Sequence, residues 1–217
     1  MAINSKQIGW SNESNLLWEI WKQLERLAGV VKNTVGPAGP TGPTGPMGVS
    51  GLFSQTGAST AVTGTTAETT LIDSGVGTLS VPANGFSLGD SFRAVMSGQM
   101  NVANNQTIRI RVKSGSVLLA DSGAQSITNI TGDTWSLNVD FTIRQIGAAG
   151  VAALASFGTF HYTKTANGTV QGFAFNTTNT TTFDTTISNT LNITVQWGST
   201  NAGNTIHSDV FVLNKTY

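Results

Sequence analysis

The carboxylates Asp73, Asp90, Asp121, Asp133, Asp140, Asp184 and Asp209 are scattered along the chain. Two carboxyls facing each other are enough for acid–base cleavage of a glycosidic bond, but the spacing singles out no pair. His161 and His207 have no second Cys, His or carboxylate at a spacing that zinc sites use. Phosphate loop, nucleophile elbow and dinucleotide fingerprint are all missing, and Gly75-Val76-Gly77 reads as a turn because position 80 is Ser. One stripe carries charge in register: Arg109, Arg111 and Lys113 alternate with Ile108, Ile110 and Val112. It reads either as a solvated sheet face whose charge discourages edge pairing, or as a receptor contact for an anionic glycan, amplified by repetition in an oligomer. The polar run NTTNTTTFDTT, from Asn176 to Thr186, is a loop able to present hydroxyls and amides to a sugar. These residues predict no catalytic group, no metal ligand set and no cofactor, and the chain is not expected to be an enzyme.

Composition narrows the class further. Of 217 residues, 39% are hydrophobic, enough for a core, and only 10% are charged, against roughly 25% in an average soluble domain. Net charge is +0, so nothing in the balance points to nucleic acid. There is no cysteine, which excludes disulfide staples, zinc knuckles and thiol nucleophiles together. Met1 to Gly9 contains no apolar signal-peptide core, and no apolar run approaches the roughly 20 residues that cross a bilayer. Assembly in a cytoplasm is the expectation, with no membrane insertion.

The elements fall into three zones. In residues 1–35, Leu17, Ile20, Leu24, Leu27 and Val31 follow a 3-4-3-4 spacing that draws one apolar seam down a helix, with Ser11 or Asn12 as its cap. The seam fits a short coiled coil or an amphipathic helix packed on another surface. Leu16, Trp18 and Trp21 add apolar bulk off that seam, which calls for contact with another protein.

In residues 36–53, glycine recurs at Gly36, Gly39, Gly42, Gly45, Gly48 and Gly51, and proline follows it at Pro37, Pro40, Pro43 and Pro46. Three polyproline-II strands wind together only where every third residue lacks a side chain, because that residue faces the crowded axis. The alternative is a semi-rigid Pro/Gly linker. Six such triplets span about 50 Å, too short to hold three chains without trimer-forming parts on either side.

Residues 54–217 read as all-β. Ile108, Ile110 and Val112 define one dry strand face. Leu137, Val139, Phe141 and Ile143 define a second, and Leu191, Ile193, Val195 and Trp197 a third. Turns are expected at Asn104-Asn105, Ser114-Gly115, Gly132-Asp133 and Asn167-Gly168. The pattern predicts an antiparallel β-sandwich or jelly roll. Val210, Phe211, Val212 and Leu213 are apolar on both strand faces, as are Val151 to Phe160. Each reads as a central strand, or as one with the domain core on one side and a threefold contact on the other.

Helix, collagen-like repeat and β-rich head in this order resemble the collagen-containing fibres and spikes of bacteriophage virions. The resemblance rests on Gly36 to Gly51, on the opening run KQIGWSNESNLLWEIWKQLERL and on the ending NTLNITVQWGSTNAGNTIHSDVFVLNKTY. It implies a homotrimer at the virion surface, assembled in the host cytoplasm. Its N-terminal segment would dock on a capsid or tail protein, and its head would be a jelly roll of the tumour-necrosis-factor and C1q kind. By position, Trp10, Leu16, Leu17, Trp18 and Trp21 would belong to the anchoring module. The competing expectations are an adhesin recognising a host surface glycan, a bacterial surface or spore-coat filament, and a polysaccharide-cleaving fibre.

Overall fold

A computed structural model describes residues 12–33, 51–103, 105–165 and 168–217. The chain divides into two units, 1–47 and 48–217. Trp10 and five of the expected triple-helix glycines, Gly36, Gly39, Gly42, Gly45 and Gly48, lie outside the described residues.

The first unit contributes helix α1 (Asn12–Asn33), with Glu13 in its first turn, where a carboxylate favours the helix dipole. The second is mainly β. Its strands are β1 (Gly51–Gln55), β2 (Val62–Thr63), β3 (Thr69–Thr70), β4 (Gly75–Gly77), β5 (Ser80–Val81), β6 (Ser91–Val102) and β7 (Gln106–Ser114). These are followed by β8 (Val117–Asp121), β9 (Gln125–Ile127), β10 (Ile130–Gln145), β11 (Ala153–Thr163), β12 (Val170–Asn179), β13 (Asn189–Trp197) and β14 (Thr205–Lys215). They form two antiparallel sheets. The larger runs β12-β11-β10-β6-β14-β1-β4, with β2 beside β14; the smaller runs β3-β13-β7-β8, with β5 beside β13 and β9 beside β7.

The period-2 alternation places the core as expected. Ile108, Ile110, Val112, Leu137, Val139, Ile193, Val195 and Trp197 all point inward and are buried. Each large side chain so buried contributes about 1.5–3 kcal/mol. Aromatic rings tie neighbouring strands of the larger sheet together: Trp135 of β10 stacks on Phe160 of β11 at 5.6 Å, and Phe160 on Phe173 of β12 at 5.1 Å. Positive φ at Asn105 and Gly115 fits the turns expected there.

Several readings differ from expectation. Gly75-Val76-Gly77, expected as a turn, is strand β4 paired with β1, and the expected loop Asn176–Thr186 begins inside β12, with Asn179, Phe183 and Thr185 buried. Gly51 does not serve the glycine repeat: it opens β1, opposite Asn214 of β14, and Phe53 is a core residue beside Phe211. The stalk assignment through residue 53 therefore runs into the sheet, because a glycine at the right interval is equally compatible with a strand end. Gly132-Asp133 is not a turn between strands but a bulge inside β10. The register against β6 shifts between Ile130 and Asp133, with Gly132 at φ 64° and its N–H donated to Asn101 Oδ1 at 2.7 Å.

Candidate functional site

The cationic stripe lies where its alternation puts it, on the outer side of β7, but its charges are already engaged. Arg109 donates to Asp121 through two nitrogens, Nε at 2.9 Å among them. Arg111 donates to Glu68 at 3.1 Å and to Gln196 at 2.9 Å, and Lys113 lies 3.0 Å from the other Glu68 oxygen. Thr194 donates its hydroxyl to Glu68 at 2.7 Å. Three cations thus surround two carboxylates, one from the end of β8 and one from the segment leading into β3. The Arg111 side chain is only 13% exposed, too covered for an open anion contact.

The same network lowers the acidity range of both carboxyls. The Arg109 hydrogen bond holds Asp121 below the usual carboxylate range against an opposing effect of burial. At Glu68 burial pushes upward, but Thr194, Lys113 and Arg111 outweigh it and the group also sits low. Depressed carboxylates stabilise the fold above their unfolded values of about 3.9–4.3 and lose that contribution as pH falls through the lower folded values. The β unit should therefore melt at a lower temperature at pH 3 than at pH 7, and Glu68→Gln with Asp121→Asn should shrink the difference. An undiminished acid effect in the double variant would place its origin elsewhere.

The remaining carboxylates of the β unit have separate partners. Asp140 pairs with Arg93 at 2.7 Å and Asp90 with Lys215 at 2.7 Å; Asp133 accepts from Thr165, and Asp184 from the Thr186 backbone at 2.8 Å. His207 approaches Asp209 at 3.3 Å across a bulge in β14, a contact the sequence reading missed. His161 lies on the outer side of β11 and lines a shallow polar groove with Ser97, Gln99 and Ser136. Among the described residues, no group of three or more His, Asp or Glu could hold a metal ion.

The outer face of the larger sheet carries a neutral row across six strands: Thr159, Asn138, Val95, Val212, Ser54 and Val76 in register. Of the four expected contact residues on β14, the strand pleat splits two from two. Phe211 and Leu213 are buried in the sandwich and cannot reach another chain, whereas Val210 is 49% exposed and Val212 half-buried on the outer face. Ala153, Ala155 and Phe157 of β11 also face outward, with Phe157 exposed.

Helix α1 shows an apolar trough lined by Leu16, Ile20, Leu24 and Leu27, with Glu19 and Gln23 beside it. Leu16, expected off the seam, belongs to this wall, since it lies one turn before Ile20 on the same face. Leu16, Leu17, Ile20, Leu24 and Leu27 are each about half exposed or more. Trp18 and Trp21 stack at 5.5 Å, and the Lys22 ammonium lies 4.9 Å from the Trp18 ring. This pairing follows from their i, i+3 spacing. Among the described residues no helix is long and apolar enough to cross a membrane.

No family model matches the chain, and neither a curated protein nor a solved structure gives a match.

Proposed function

We propose that the chain is a structural virion appendage: a homotrimeric head or tail fibre of a bacteriophage, attached to a capsid or tail protein through residues 1–35. The β unit is its outward head, a jelly roll of the tumour-necrosis-factor and C1q kind, and residues 36–50 form a collagen-like stalk. The appendage works by architecture, without catalysis, cofactor or nucleic acid.

One observation carries this reading: glycine at every third position from Gly36 to Gly48, with proline after it at 37, 40, 43 and 46, between an apolar-striped helix and a β-sandwich. Such a register suits three chains that share an axis, where only glycine has room. Supporting it, the leucines of α1 are exposed in a single chain, and that stripe has the shape of a coiled-coil seam. Val210, Val212, Val95 and Val76 offer uncharged positions on the outer sheet face for head-to-head contact. The glycan-receptor alternative rested on free cations at Arg109, Arg111 and Lys113. Those groups are internally paired, so the structural reading stands ahead of it.

Light scattering of the full chain should return three times its 22.6 kDa mass, and mass spectrometry should find the protein in purified virions. A monomer at micromolar concentration would sink the trimer, and absence from the particles would sink the appendage.

A further inference from the structure

The two sheets do not meet completely at one end of the β unit. Between them lies a cavity of about 250 Å³, walled by Phe92, Leu119, Phe141, Leu154, Leu191 and Leu213. The turn at Pro82–Phe86 closes one side, where Phe86 stands edge-on to Phe92 at 6.0 Å and to Phe183 at 5.8 Å. Exposed residues of the wall, Thr78, Pro82 and Lys215 among them, form its rim.

Every polar side chain of the wall already has a partner, often another wall residue. Asp90 accepts from Lys215 at 2.7 Å and from the Ser87 N–H at 2.9 Å. The Ser114 hydroxyl donates to Asn189 at 2.9 Å and accepts from the Thr190 N–H at 3.1 Å. Asn189 donates to the Asp184 and Ile187 carbonyls at 2.8 and 3.0 Å. Ser80 and Thr78 hydroxyls are likewise bonded, to Thr190 and to the Ser80 backbone. A water entering this space would give up its own hydrogen bonds with few on offer, whereas an apolar guest gives up nothing.

We propose that this inter-sheet cavity is a binding site for a small, neutral, apolar molecule. The chemistry of the wall sets the class and the volume sets the size. An apolar cavity of about 150 Å³ accommodates benzene, so this one takes a ring bearing a short alkyl chain. A carboxylate guest is disfavoured, because Asp90 occupies Lys215 at the rim and would repel a second anion.

The probe is n-butylbenzene, added to the full chain. At about tenfold excess over its dissociation constant it should raise the Tm of the β unit by about 3 °C. Methyl NMR shifts should be confined to the residues of the wall: Leu52, Leu79, Val81, Leu119, Leu154, Leu191 and Leu213, with Thr78 at the rim. Leu119→Phe and Val81→Phe, both at residues that line the space, should abolish both responses, and sodium pentanoate should produce neither. An unchanged Tm with no methyl shifts in the native chain would overturn the proposal. So would equal binding by both filled variants, or binding of pentanoate as tight as that of n-butylbenzene. If neither variant folds, the methyl shifts of the native chain alone decide.

Discussion

Gly98→Ala is expected to destabilise the β unit by about 3 kcal/mol. A methyl group at this position would lie 2.0 Å from the His207 carbonyl oxygen and 2.8 Å from the Ser208 Cα. Both atoms are backbone, at the point where β14 bulges between Ser208 and Val210. Neither can retreat. Ser208 donates its hydroxyl to Leu71 O at 2.6 Å and its N–H to Ser59 at 2.9 Å, and accepts from Gln55 at 3.0 Å. The His207 carbonyl also accepts the Trp135 indole N–H at 3.1 Å. Relief therefore requires separating β6 from β14 in the middle of the larger sheet. Urea unfolding measures the loss. Gly57→Ala is the control, since nothing lies within 4 Å of a methyl there. Equal losses in the two variants would remove the close approach as the cause.

Trp197→Ala should cost about 3–5 kcal/mol, the usual range for deleting a buried indole. Trp197 is fully enclosed, and its Nε1 donates to the Val62 carbonyl at 3.2 Å. That bond joins β13 of the smaller sheet to β2, which pairs with β14 of the larger one. Trp197→Phe separates the two contributions. The phenyl ring restores most of the packing but leaves the Val62 carbonyl without its donor, a deficit of about 1–3 kcal/mol. Denaturation curves of the three proteins should fall in the order native, Phe, Ala. A Phe variant as stable as the native chain would show that the bond between the layers contributes nothing.

The strands were legible because a pleated chain turns successive side chains to opposite faces. Ile108–Val112, Leu137–Ile143 and Leu191–Trp197 announce their inner faces by that period alone. What stayed hidden depends on partners far away in the chain. Nothing local to Arg111 or Lys113 reveals that Glu68 lies between them, or that Asp121 lies beside Arg109. The same applies to the cavity, whose wall draws residues from β1, β5 to β8, β10, β11, β13 and β14. Local chemistry misled at glycines above all. Gly132 has the positive φ expected of a turn but uses it for a bulge, and Gly51 keeps the triplet interval while serving a strand. The β14 segment was read correctly as apolar on both faces. Only its pairing shows which two of its four residues are enclosed.

Strand β14 lies between β6 and β1 in the larger sheet. Its contact with β1 joins residues far apart in sequence: Gln55 and Ser208, hydrogen-bonded at 3.0 Å, are separated by 153 positions. While the ribosome is still short of Thr205, β1 has no strand on that side and β6 shows a bare inner edge. The sheet can close only after Thr205–Lys215 has been synthesised, and a loop of this size makes closure slow. Nonsense mutations shortly before Thr205 should therefore yield chains with two open edges at the centre of the sheet, prone to pair with one another, rather than slightly shortened β units. Translation thus sets the earliest time at which the β unit can fold.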